Sequence, residues 1–317
     1  MQLNAITRKS ALMAMILLVA ILVAVALRSY IYPFGVEIAN SEFAERPFAL
    51  VVMVLLYICG GIVEGKIFPR SGLNKGYCTL PIPLYGLLAC GIFVAPNGIA
   101  TAAASLCFAL AIFMLLRSLH SAGEKNSIFF ASMLLGAMVL LEPACVVLVG
   151  VLPLALFILA LSVRQIVLMV VGYLLPTLAA SYLLWYKGDD FLQFWHNLSE
   201  ALVMPQMDSM TEVPILAIVM MAAVAVVLIY GMIYAAISRD KMFLLTRTRH
   251  SLYLFVLLLF LTLSMLLIPS CDLSIFAIIA VPTAVLLSFV LGLLPNNQST
   301  IAYWLLLFIF VLHLFVE

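Results

Sequence analysis

Long apolar runs alternate with short polar interruptions along almost the whole chain, and the runs are of about 17 to 25 residues rather than the four to eight of a buried strand. That length matches the roughly 20 residues a helix needs to cross a hydrocarbon core about 30 Å thick, and a helix satisfies its backbone hydrogen bonds internally. The pattern predicts spans at about 10–27, 47–63, 79–95, 98–116, 127–141, 144–162, 165–185, 212–237, 251–268, 273–293 and 300–316. A different pattern follows Lys187. Asp189 and Asp190 open a stretch in which Phe191, Phe194, Trp195, Leu198 and Leu202 recur at helical spacing opposite Gln193, His196, Asn197 and Glu200. That spacing predicts an amphipathic helix lying on the membrane surface, either covering a groove for a lipid substrate or sealing the edge of the bundle.

Composition removes the soluble alternatives. Of 317 residues, 67% are hydrophobic and 9% charged, against about 25% charged in a soluble domain. A β-barrel is excluded by the absence of ten-residue segments of alternating polarity. The expected fold is therefore all-α, a single polytopic bundle of about eleven spans over residues 1–317. Its first part, residues 1–211, carries seven spans and the amphipathic helix at 189–203; residues 212–317 carry the last four. The bilayer is the expected partner, and a net charge of +1 spread over short loops gives no footprint for nucleic acid. No protein partner or cofactor can be named from the sequence.

Charge placement sets the orientation, because Lys and Arg are retained in the cytoplasm during insertion. With the N-terminus inside, Arg8, Lys9, Lys66, Arg70, Lys75, Arg117, Lys125, Arg164, Arg239, Lys241, Arg247 and Arg249 are cytoplasmic, twelve of fifteen. The acids partition oppositely: only Glu64, Glu124 and Asp240 of fourteen fall inside, each in a loop. The last hairpin, around Leu294-Pro295-Asn296-Asn297, has no charge and is placed by hydrophobicity alone. Arg8 and Lys9 ahead of an apolar run without a small-x-small cleavage site point to an uncleaved anchor.

Three places can hold chemistry. The external loop from Arg28 to Arg46 carries Glu37, Glu42 and Glu45 among Tyr30, Tyr32 and Phe34; such acids can act as a general base or hold a metal on a phosphate, or simply solvate an aromatic-anchored loop. Glu142-Pro143 is the sole break in the apolar stretch from Ser127 to Val163. The arm before it is short enough to leave the turn below the outer surface, where an acid is costly unless it faces a cavity or a cation. The plainer reading is a helix start, with Pro in the first turn and the acid on the dipole. The third place is the amphipathic segment itself, with Asp189, Asp190, Trp195 and His196 as candidate substrate contacts. The six cysteines and His120, His250 and His313 lack metal-ligand spacing, so no metal site is expected.

The stretches Leu134-Leu135-Gly136-Ala137, Glu142-Pro143, Arg164-Gln165 and Lys187-Gly188-Asp189-Asp190-Phe191 fall in an order that resembles part of the C-type membrane glycosyltransferases. The whole layout is also similar to uncharacterised multi-pass proteins of Bacteroidota inner membranes. The first resemblance covers about a fifth of the chain and implies an enzyme that takes a sugar from a polyprenyl-phosphate carrier at the outer face of a bacterial inner membrane. It implies a catalytic acid in the first external loop, hence Glu37, Glu42 or Glu45, and a cavity acid at Glu142. Two departures stand against it: the first loop is shorter than the family's, and Glu142 replaces a residue that is commonly basic. A proton- or cation-coupled transporter or flippase using Glu142, and a non-catalytic subunit of an envelope complex, are the alternatives from other classes.

Overall fold

The computed structural model describes residues 11–31, 47–70, 79–92, 98–120, 126–154, 162–203, 215–237, 249–267 and 275–316. These form α1 (Ala11–Ile31), α2 (Pro47–Arg70), α3 (Pro81–Ala89), α4 (Ile99–His120) and α5 (Asn126–Leu141). A 3-10 helix (Pro143–Gly150) follows, then α6 (Val163–Lys187), α7 (Gln193–Val203), α8 (Ile215–Ile237), α9 (Arg249–Leu267), α10 (Phe276–Leu293) and α11 (Asn296–Val316). All of the regular structure among the described residues is helical.

Six of these helices, α1, α2, α4, α6, α10 and α11, are long and apolar enough to cross a membrane. Shorter apolar helices occupy Asn126–Leu141, Pro143–Leu154, Ile215–Gly231 and Tyr253–Ser264. Each expected span thus overlaps an apolar element, although α3, α5 and the 3-10 element are shorter as described than a full crossing. The protein is a multi-pass membrane protein, and its surface gives the physical reason. Leu12, Ile16, Val19, Val23 and Leu27 form one exposed stripe along α1, and Ile301, Trp304, Leu305, Phe308 and Val311 form another along α11. Continuous apolar faces of this kind are not tolerated in water, whereas lipid tails are as apolar as the side chains themselves.

The core is built around α10, which is apolar on every side and buried from Ala277 to Leu291. It packs against α2, α3, α4, α8, α9 and α11. α3 is also buried throughout and wedges between α1, α2 and α10. Pro81 sits at its start, where the missing N–H has no helical acceptor in any case.

Contacts between helices fix their directions. Arg28 at the end of α1 donates to the His313 carbonyl at 2.7 Å, so α1 and α11 end on the same side. A side chain at Gly136 of α5 would run into the Tyr173 carbonyl and Pro176 of α6, and one at Gly172 would meet Phe129 and Ser132. The two lines of contact advance together, so α5 and α6 are parallel and the chain between Leu141 and Val163 must return from one side of the bundle to the other. Tyr230 of α8 reaches Gln298 in the first turn of α11 at 3.4 Å, which puts the later part of α8 opposite the Arg28 end. Gly231 of α8 packs on Val290 of α10, so the N-terminal ends of both helices lie toward the Arg28 end.

One expectation is corrected. Glu64 was expected in a loop after a span ending at residue 63, but α2 continues to Arg70 and Glu64 lies within it, fully buried. The reason is local: Gly60, Gly61 and Gly65 let α1 and α3 approach α2 so closely that Leu18 and Ile82 close over that face.

Candidate functional site

The described apolar elements leave a substantial opening. A cleft of about 360 Å³ lies between the end of α3, α8, α9 and α10, lined among others by Ile92, Ala225, Phe255, Leu258, Phe276 and Ala280. Its volume falls within the roughly 300–1,000 Å³ of small-molecule sites. The only side-chain polar groups on its wall are the hydroxyls of Thr262 and Thr283, and both are turned back into their own helices. Thr262 donates to the carbonyls of Leu258 and Leu259, and Thr283 to that of Ile279 at 2.7 Å. Neither hydroxyl on the described wall therefore keeps a proton to donate to an occupant, and with the rest of that wall apolar, an apolar chain is the chemistry that fits. Because Phe276 begins α10 and Ile92 follows α3, the cleft runs from the middle of the bundle toward the Arg28 end.

The polar candidates are distributed differently. Glu142 is half-buried in extended backbone between α5 and the 3-10 helix; its N–H continues the α5 ladder to Met138 and its carbonyl accepts from Cys145 at 3.0 Å. With Ser132 level with Gly172 and Gly136 level with Pro176, α6 overshoots the end of α5 by about 9 Å at 1.5 Å per residue. Glu142 is thus recessed relative to Lys187 along the axis of α6.

Gly188 ends α6 at φ 103°, a left-handed cap that suits a residue without Cβ. Asp189 and Asp190 follow, both exposed. Asp190 Oδ1 accepts the Leu192 N–H at 3.4 Å, so this acid starts α7. The helix begins at Gln193, later than the sequence pattern implies, and Phe191 is left exposed in the turn before it. Leu198 is buried, while Phe194, Trp195 and Leu202 are half-buried against the core. His196 and Glu200 face outward 3.6 Å apart, and Gln193 donates to Asn197. α7 packs on α6 and the 3-10 helix, and no α7 residue lines the cleft.

Glu37, Glu42 and Glu45 lie outside the described residues. Glu142 and α7 are brought to one edge of the bundle, through the 3-10 helix, and Gly150 of that helix packs on Phe260 of α9, a helix that also lines the cleft. Among the described residues, no group of three or more His, Cys, Asp or Glu can hold a metal. The cleft itself was missed by sequence reasoning, since its lining comes from four apolar helices that carry no distinguishing residue. Glu64 was missed as well, although a glutamate between glycines in a continuing helical pattern marked it.

Searches against protein-family models, curated proteins and solved structures return no match for the chain.

Proposed function

We propose that this protein holds the hydrocarbon chain of a lipid-linked substrate, a polyprenyl-phosphate sugar or a related amphiphile, in the α8/α9/α10 cleft and presents its polar head at the outer face of a bacterial inner membrane. The observation that carries this reading is the cleft, whose described wall offers contact to methylene and isoprenoid groups and no free hydrogen-bond donor. An amphiphile so bound places its head at the Arg28 end, where Glu142, Asp189 and Asp190 also lie. In a glycosyltransferase-like reaction the general base would come from Glu37, Glu42 or Glu45.

The orientation rests on eleven crossings with the N-terminus in the cytoplasm. That count requires α1 and α11 to run the same way and α5 and α6 to be parallel, and both directions agree with it. The charge partition then makes the Arg28 end the outer one. α7, packed on α6 and the 3-10 helix, seals the outer edge of the bundle rather than covering the cleft.

The test is native mass spectrometry of gently purified protein, comparing wild type with Ala225→Trp. Ala225 faces the cleft from an exposed position on α8, so an indole there fills the space without disturbing the core. Wild type is expected to retain a polyprenyl-phosphate species that Ala225→Trp loses. Bulk phospholipid alone in both proteins overturns the reading in favour of a transporter or a subunit of an envelope complex.

A further inference from the structure

The most polar element of the bundle's interior lies away from the cleft. Glu64 is fully buried, and neither of its carboxylate oxygens has a hydrogen-bond partner. Tyr57, Gly60, Gly61 and Glu64 share one face of α2, at spacings of three and four residues. A methyl group at Gly60 would lie 2.6 Å from the Tyr85 hydroxyl, so the phenol of α3 sits against α2 one turn before Glu64. Helical side chains lean toward the N-terminus and cover the preceding turn. The Glu64 carboxyl is thereby carried toward the space that Gly60 leaves open and toward the Tyr85 oxygen.

The hydrogen bonds beyond Tyr85 have a direction. Ser105 of α4 donates its single hydroxyl proton to the Ala277 carbonyl at 2.7 Å. Its contact with Tyr85 at 2.8 Å must then be one in which the phenol donates and Ser105 Oγ accepts. The chain Tyr85, Ser105, Ala277 is polarised away from α2, so the phenol proton is engaged by Ser105 and none is offered to Glu64. An ionised carboxylate is acceptor-only; a carboxylic acid has an O–H to give.

Among the described residues, no positive charge is placed against the group. α1 presents Leu18 to this region, and its Arg28 lies at the far end on the His313 carbonyl. α3 presents Ile82, Tyr85 and Cys90, and Cys90 is hydrogen-bonded by Tyr57. α4 presents Ser105, with Cys107 half-buried and Arg117 a further three turns on. The described part of α10 has no ionisable side chain, and Thr283 and Ser288 bond to their own helix. On α2 itself Lys66 and Cys59 are exposed, and residues two apart do not share a helix face. A bare metal cation is also a poor occupant, because hard cations need about six oxygen ligands and this face supplies glycine, leucine and isoleucine.

We infer that Glu64 is a proton-binding site inside the membrane, carried as the neutral acid, because its carboxyl is fully buried, neither oxygen meets a donor, and the neighbouring Tyr85 phenol spends its proton on Ser105. Burying an isolated ionised carboxylate costs several kcal/mol, and intramembrane acids characteristically belong to proton relays. Gly60 makes room for the Tyr85 phenol beside α2, one turn before Glu64. This site is independent of any lipid in the cleft.

Infrared spectroscopy of the full-length protein at neutral pH tests it. The difference between wild type and Glu64→Gln is expected to contain the carbonyl stretch of a protonated carboxylic acid. Dicyclohexylcarbodiimide, which attacks protonated carboxyls in apolar surroundings, is expected to modify Glu64 in wild type and to leave Glu64→Gln unmodified at that peptide. Ionised carboxylate bands in the difference spectrum, or no carbodiimide adduct at Glu64, overturn the inference. If Glu64→Gln does not fold, the presence or absence of the adduct at Glu64 in wild type decides the matter without it.

Discussion

At the scale of single residues, glycine decides how closely this bundle closes. Gly136 faces the Tyr173 carbonyl and Gly172 faces the Phe129 carbonyl, so α5 and α6 meet backbone to side-chain-free backbone. Small residues of this kind drive helix association in lipid, where burial of apolar surface adds little. Gly136→Ala has no flexible neighbour to push aside and is expected to cost about 1–3 kcal/mol, seen as a lower melting temperature in detergent. Gly188→Ala tests a different property: the position is open, but its φ of 103° is one that a side chain disfavours. Glu64 illustrates the limit of reading residues singly. As a letter it is an ordinary acid near a Lys and an Arg; only the packing of Leu18 and Ile82 on the flanking glycines makes it an interior group.

At the scale of elements, the contrast between α7 and α10 shows what periodicity can report. α7 has one apolar face, and the sequence pattern names the residues that meet the bundle, Phe194, Trp195, Leu198 and Leu202. Trp195→Ala is expected to loosen α7, at a cost of about 1–3 kcal/mol for a half-buried aromatic, and to speed proteolysis around Gly188. His196→Ala removes an exposed pair worth at most about 1 kcal/mol and is expected to leave that rate unchanged. α10 is apolar all round, so no periodicity marks a face, and its place at the centre became visible only through its packing against six other helices. The 3-10 helix is intermediate. Glu142-Pro143 marked a break, but its recess of about 8 Å below Lys187 follows from the register of α5 on α6.

At the scale of the whole molecule, helix direction and charge bear on the same topology by independent routes. Cysteines placed at Asn126, Arg164 and Gly188 in a cysteine-free background test it. The first two are expected to react with an impermeant thiol reagent only from the cytoplasm, and Gly188→Cys only from outside. Reaction of Asn126→Cys and Arg164→Cys from opposite sides would show that the chain does not return between α5 and α6. The sequence by itself determined the solvent, the helical class, the positions of the apolar elements and the amphipathic face of α7, because these depend on local hydrophobicity and on a period of 3.6 residues. It also made the acids at Glu142, Asp189 and Asp190 conspicuous, because charge is rare in such a chain. The tertiary structure alone decided which helix is central, where the cleft opens and that Glu64 is interior. In an apolar chain nearly every helix face is chemically alike, and neighbours are then chosen by shape, by where a glycine lets two backbones meet, which no local pattern records.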